Sequence, residues 1–310
     1  MSLTPGYWSV QGAAQHGVSA METALQDCRA RLLDVPLWQM LGGETGRMLK
    51  LSASGGDAID PAGMIEELDQ IAALGIDLFK MRARGGQNDK AAFCPREGDC
   101  RGIQIAVDMT QNLAVPSQSI DDIEKFLSEL TARGGRMPAF LEEVLGPQDL
   151  AGMADLKARL PTARIVGGEI VTTASELRER IARGYYDIAQ PDATVIGGVG
   201  ATLEIFKATH EVATKVYVHC WGGPVGMMAN FHAALADGGT VVEWPLLRDE
   251  LRETLVPGPW QIESGRLALS DALGFGIELT PEIERVYPFR ADATNNCRVD
   301  FSKLPVVAWD

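Results

Sequence analysis

Residues 188–219 read IAQPDATVIGGVGATLEIFKATHEVATKVYVH, and their pattern decides the fold. A short apolar run, Ile188-Ala189-Gln190-Pro191, ends on Asp192. A helical stretch spans Ala201 to Val212, and the run Val216-Tyr217-Val218 ends on His219. Strand, helix, strand over roughly 30 residues is a βα unit, whose crossover helix makes the two strands parallel. Both strands end on a side chain capable of proton chemistry.

Outward from this unit the construction repeats. Lys80 and Arg82 follow Ile76-Asp77-Leu78-Phe79, Asp108 follows Ile105-Ala106-Val107, Glu142 follows Phe140-Leu141, Glu169 follows Ile165-Val166, and Glu243 follows Val241-Val242. Leu49-Lys50-Leu51-Ser52-Ala53 supplies a first strand, and helical patterns fill Pro61–Leu74, Ile120–Arg133, Pro147–Arg159, Ala174–Arg183 and Val225–Ala236. Only Gln87–Cys100 breaks the rhythm: Pro95 and Gly98 there predict no more than a short helix or a loop. Residues 47–248 therefore read as one α/β barrel of parallel strands, TIM-like, with its chemistry at the C-terminal rim. Before it, residues 1–46 hold a helix and a turn closing at Leu41-Gly42-Gly43. After it, residues 249–310 are rich in Pro and Gly and contain a hairpin pattern over Trp260–Leu269, expected to pack back on the barrel.

Composition bounds the function. The 310 residues are 46% hydrophobic and 23% charged, enough for one large core. A net charge of -14 argues against nucleic-acid binding, although a bound cation is compatible with it. Five scattered cysteines, Cys28, Cys94, Cys100, Cys220 and Cys297, show no C-x-x-C pair and predict neither a disulfide framework nor a structural zinc site. Met1–Gly12 lacks a charged segment followed by an apolar core, and no apolar run approaches the ~20 residues of a membrane span. A cytoplasmic protein without membrane contact is expected.

Three rim carboxylates from successive strands, Asp108, Glu142 and Glu169, would repel one another unless a cation sat among them. Any one of them is as readily a solvated strand end or a helix N-cap. Three in order favour a metal site, and oxygen-only ligands with open positions favour Mg²⁺, or Mn²⁺, over zinc. Asp192 beside His219 would fix the imidazole tautomer and stabilise its cation, a candidate acid/base dyad. His16, His210 and His232 read as packed or surface residues. Lys80 and Arg82, two apart on a strand, point to one side, into the barrel mouth. A lysine can lose its proton and act as base, whereas Arg82 is suited to holding an anion. Ile196-Gly197-Gly198-Val199-Gly200 lacks G-x-G-x-x-G spacing, so no dinucleotide site is expected. Cys220 reads as a small packing residue.

With these residues in place, the chain resembles the enolase superfamily, mandelate racemase subgroup. The likeness rests on Leu33-Asp34-Val35-Pro36-Leu37 through Gly43, Lys80-Met81-Arg82, Val107-Asp108, Phe140-Leu141-Glu142-Glu143, Gly167-Gly168-Glu169, Gln190-Pro191-Asp192 through Val199, His219 through Gly226, and Leu273-Gly274-Phe275-Gly276. It implies a (β/α)7β barrel with Mg²⁺ on Asp108, Glu142 and Glu169, and abstraction of the proton α to a carboxylate to give an enediolate. By matching positions, Asp192 and His219 would be the dyad, Lys80 and Arg82 the second-strand pair, and Glu243 the eighth-strand acid that hydrogen-bonds a small-molecule carboxylate substrate. A homo-oligomer is expected.

Two departures from the family pattern shape the expectation. Members usually begin with an α+β capping domain of roughly a hundred residues. Residues 1–46 match only its last helix, leaving a partial cap made by the N- and C-terminal segments, and an uncapped, inactive metal-binding barrel is one reading. Arg82 stands where racemases of the subgroup carry a lysine base. Dehydration of a sugar acid, which needs one base, is therefore favoured over racemisation or epimerisation, for which Lys80 would have to serve opposite His219.

Overall fold

A computed structural model of the chain describes residues 11–57, 60–83, 87–111, 117–212, 214–238, 240–247, 249–256 and 260–291, so Cys297 and the first ten residues lie outside them. The helix α1 (Ala13–Leu32) and a single turn, α2 (Leu37–Met40), precede the barrel. Its strands are β1 (Leu49–Gly55), β2 (Leu78–Arg82), β3 (Gln104–Asp108), β4 (Leu141–Glu142), β5 (Ile165–Gly167), β6 (Ile188–Ala189), β7 (Lys215–Val218) and β8 (Val241–Pro245). Each pairs in parallel with the next, and β1 pairs with both β8 and β2, which closes the ring. Seven helices connect them: α3 (Pro61–Ala73), α4 (Asn88–Asp99), α5 (Ile120–Ala132), α6 (Leu150–Arg159), α7 (Ala174–Ala182), α8 (Val199–Val212) and α9 (Pro224–Ala236). This is the (β/α)7β order.

The second helix departs from the sequence reading. The stretch with Pro95 and Gly98 forms a helix of 12 residues, not a loop. A proline inside a helix costs about 3 kcal/mol. Burying Phe93 alone recovers roughly 1.5–3 kcal/mol, and Ala91, Ala92 and Cys94 are buried beside it. Gly98 is needed where it stands, because a Cβ there would lie 2.8 Å from the carbonyl oxygen of Ile103.

Strand alternation divides the barrel's apolar residues into two bodies. One fills the layer between strands and helices, with Phe79, Met81, Phe206 and Phe231 among its largest members. The other is a small lumenal plug of Leu78, Ala106, Phe140, Val166 and Ile188, with Tyr217 edge-on to Phe140 at 6.1 Å. Nearer the C-terminal rim the buried side chains are polar: Ser52, Lys80, Glu142, Gln190 and Glu243. The interior is therefore apolar below and charged above.

Helix α1 docks on the start of α8. The Glu22 carboxylate accepts hydrogen bonds from the amides of Val199 at 2.7 Å and Gly200 at 3.1 Å, and the Ser19 hydroxyl accepts from Gly197. The glycine-rich turn thus spends its helix N-terminus on an internal anion. Gly198 makes this possible: its φ is +104°, and a Cβ would collide with the Glu22 carboxylate.

The C-terminal segment begins with α10 (Glu250–Leu255). A hairpin, β9 (Gln261–Glu263) and β10 (Arg266–Ala268), then adds antiparallel to β1, and α11 (Pro281–Val286) follows. Trp260 stacks edge-on against Trp244 of β8 at 5.1 Å. Farther on, the amide of Leu37 donates to the Gly274 carbonyl at 2.8 Å and the Gly274 amide to the Val35 carbonyl. The described ends of the chain are thus stitched together. No helix among the described residues is long and apolar enough to cross a membrane.

His232 of α9 secures that seam. Its Nδ1 accepts from the Trp38 amide at 3.0 Å, so Nε2 carries the proton and faces the Phe275 carbonyl at 3.4 Å. Burial pushes its pKa from 6.5 down to about 4, against the opposing Phe275 carbonyl. The unfolded chain therefore takes up the proton first. Stability from this site is full above pH 6.5 and falls as pH drops towards 4, by about 3 kcal/mol. His232→Gln should flatten the urea-unfolding free energy against pH by that increment between pH 6.5 and 4; an unchanged slope would remove His232 as the cause.

Candidate active site

Register assembles the rim. Arg82 on β2 is the partner of Asp108 on β3, and Asp108 is the partner of Glu142 on β4. Glu169 lies beyond the end of β5, past Gly168 at φ +117°, where a Cβ would stand 2.8 Å from Leu177 Cδ1. On the far side, Lys80 pairs with Ser54 of β1, and Ser52 of β1 pairs with Glu243 of β8. Closure through β1 brings Lys80 and Glu243 together across the lumen.

The buried charges contact one another. Lys80 Nζ lies 2.5 Å from Glu142 Oε1 and 2.7 Å from Glu243 Oε1. Gln190 Nε2 donates to Glu142 Oε2 at 2.6 Å and reaches Glu243 Oε1 at 3.2 Å, while its own Oε1 has no hydrogen-bond partner. Burial favours the neutral amine of Lys80, but Glu142, Glu243, Asp108 and Glu169 together hold it firmly as the ammonium. Burial likewise pushes the carboxyls of Asp108 and Glu142 up; Lys80 opposes this, and neighbouring carboxylates reinforce it.

The dyad is formed. His219 Nδ1 and Asp192 Oδ2 are 2.7 Å apart. Asp192 Oδ1 accepts from Asn230 Nδ2 at 2.9 Å, from the Thr194 amide and from the Thr194 hydroxyl. Burial would raise this carboxyl, yet His219 and these donors bring it below its ordinary range. His219 Nε2 faces Glu169 Oε2 at 3.2 Å and Glu243 Oε2 at 4.0 Å. Burial disfavours the imidazolium, but Glu169, Asp192 and Glu243 overcome it and push the pKa up to about 10.

Arg82 is held differently from Lys80. Its guanidinium stacks over the Trp221 ring, 4.3 Å from the centroid, and binds the exposed Asp57 at 2.7 Å. Asp108 is 3.9 Å away. The structure therefore brings all eight expected residues to one rim, in two linked groups: Lys80 with Glu142 and Glu243, and His219 with Asp192 and Glu169, while Arg82 and Asp108 adjoin.

Several supporting residues escape the sequence reading. Asn230 locks Asp192 and accepts from the Ala193 amide at 2.7 Å. An Asn in the apolar run Met227–Ala236 was the available signal for a buried hydrogen bond. Glu143 and Thr110 adopt positive φ, 46° and 51°, a strained conformation for residues with a Cβ. Thr110 donates its amide to Asp108 Oδ1 at 2.7 Å. Burial, then Glu169, Asp108 and Glu142, push the Glu143 carboxyl up to about 11. Cys220 is buried and its thiol held protonated by desolvation, which fits a packing role.

For a hard cation the donor chemistry fits. Asp108, Glu142 and Glu169 offer only oxygen, two of them buried with incompletely met charge. Among the described residues they are not gathered into a ready ligand group of three.

Residues 63–283 match the enolase C-terminal domain-like family, and the chain belongs to it. It is 28% identical over 223 residues to the D-gluconate dehydratase of Thermoproteus tenax, a match covering 67% of this chain and 43% of that enzyme. It is 24% identical over 286 residues to the arabinonate dehydratase of Saccharolobus solfataricus, covering 89% of this chain and 73% of the relative. The fold superposes on the 3,6-anhydro-D-galactonate cycloisomerase of Zobellia galactanivorans with a TM-score of 0.78 at 20% identity, covering 91% and 78% of the two chains.

Lys80→Met should cost roughly 3–5 kcal/mol of stability in metal-free buffer at pH 8, since it strands buried carboxylates. The loss should shrink as pH falls, because protonating the stranded carboxyls, Glu142 among them with its pKa raised by burial, removes the unmet charge. A loss in urea titrations that does not change with pH would show that packing, not charge, is what Lys80 supplies.

Proposed function

We propose that this chain removes the proton α to the carboxylate of a small hydroxylated acid and, from a sugar acid, expels the β-hydroxyl as water. The observation that carries the reading is the His219–Asp192 contact, anchored by Asn230 and facing the carboxylate cluster. With Nδ1 committed to Asp192, Nε2, which faces Glu169, is the nitrogen turned towards the rim and the one that would take the α-proton. Asp192 then stabilises the imidazolium. The same Nε2 returns the proton to the departing hydroxyl, which leaves as water, and the resulting enol becomes a 2-keto acid.

Asp108, Glu142 and Glu169 are the residues that would hold Mg²⁺, or Mn²⁺ in its place. When bound, such a cation supplies positive charge that offsets these carboxylates, relieves the hold of Glu169 on the imidazolium and steadies charge developing on the substrate carboxylate. Arg82, kept extended by Trp221 and Asp57, is a fixed cation for the substrate's anionic end. Glu243 borders the same space and is the candidate hydrogen-bond donor to the substrate carboxylate.

Two features favour dehydration over racemisation. Lys80, the second base that racemisation would require, already has its Nζ engaged by Glu142 at 2.5 Å and Glu243 at 2.7 Å. The two curated relatives described above are both sugar-acid dehydratases by name.

With Mg²⁺ in D₂O, ¹H NMR against a panel of sugar acids should show loss of the α-proton together with keto-acid formation. His219→Asn should lower kcat by about 10³-fold or more and keep the rise in melting temperature that Mg²⁺ produces. Unchanged turnover in His219→Asn would sink the assignment of the base. Solvent deuterium entering the α-position without keto acid would select racemisation.

A further inference from the structure

At the opposite end of the barrel from His219, where β1, β7 and β8 begin, lies a cavity of about 490 Å³. Such a volume falls in the range of roughly 300–1,000 Å³ usual for small-molecule pockets. Its walls include Lys50 at the start of β1, Lys215 at the start of β7 and Arg266 at the start of β10. Thr209, Thr240 and Tyr217 also line it.

These cations are set close together with little direct charge compensation. Lys50 and Arg266 are direct partners in the antiparallel β1–β10 ladder, where like charges oppose pairing, while Arg266 faces the acidic Glu263 across the β9–β10 ladder. Lys50 has some relief from Asp77 at 2.9 Å, but both side chains are about half exposed, 40% and 56%, and the pair is correspondingly weak. Among the described residues neither Lys215 nor Arg266 forms a salt bridge with an acid. The cavity's own carboxylate, Asp237, is met by His210 at 3.4 Å. The hydroxyl protons of Thr209 and Thr240 go to the Phe206 and Val216 carbonyls. Three cations thus border one recess in a chain of net charge -14.

We infer that this recess is a binding site for a small multivalent oxyanion, a phosphate-bearing or polycarboxylate molecule, held between Lys50, Lys215 and Arg266. An anion there would bridge the two cations the ladder sets against each other and turn a repulsive register into a clamp between the barrel and the C-terminal hairpin. The site is separate from the rim and does not depend on the reaction proposed there.

The test is thermal unfolding with inorganic phosphate as probe, ionic strength held constant with sodium chloride. Wild type should gain about 2 °C or more, saturably, and citrate should act in the same way. The double variant Lys215→Gln/Arg266→Gln should lose the gain. A response equal to that of chloride, or one that survives in the double variant, would overturn the inference; the second result would place phosphate at the rim or elsewhere.

Discussion

Closure of the barrel through β1 is the constraint on which the other features rest. β1, the first strand, pairs with both the last, β8, and the second, β2, with Ser52 against Glu243 and Ser54 against Lys80. Were the ring open, Lys80 and Glu243 would stand at opposite edges of a sheet. Closed, they lie 2.7 Å apart with Glu142 alongside. Parallel register then decides which side chains share a level of the lumen, because a slip of one residue would turn the charged set outward.

Putting so much charge in a dry layer has an energetic consequence. Each buried carboxylate costs several kcal/mol unless its charge is met, and at this rim Lys80, Arg82 and the His219 cation meet only part of it. The lower lumen is filled by an apolar plug around Phe140, which offers no solvation from below. Backbone strain collects at the same place, in the positive φ of Thr110 and Glu143 just past the ends of β3 and β4. Strain and unmet charge together are what a site shows when its chemistry, not its stability, has determined the residues.

The segments outside the barrel contribute by fastening. Glu22 of α1 caps α8, and His232 of α9 binds the Trp38 amide on one side and the Phe275 carbonyl on the other. This seam lies against α8 and α9, the helices that follow Asp192 and His219. Asn230, two residues before His232 and on the other side of α9, holds Asp192 directly. One apolar helix with two embedded polar residues thus serves both the seam and the dyad.

Much of this was legible in the sequence, since strand-end charges, repeat length and turn residues are local properties. The parallel barrel, its order of elements and the eight rim residues follow from short apolar runs that each end on Lys, Arg, Asp, Glu or His. Three things were decided by tertiary structure alone. The helix through Pro95 forms because burial of Phe93 and its neighbours outweighs a local penalty. Asn230, Gln190 and Trp221 acquire roles only through contacts with residues 38 or more positions away in the case of Asn230 and Gln190, and with Arg82 across the mouth in the case of Trp221. The protonation of Lys80 and His219 is set by how many carboxylates closure crowds around each, and a one-dimensional pattern shows which charges exist but not which of them will share a space without water.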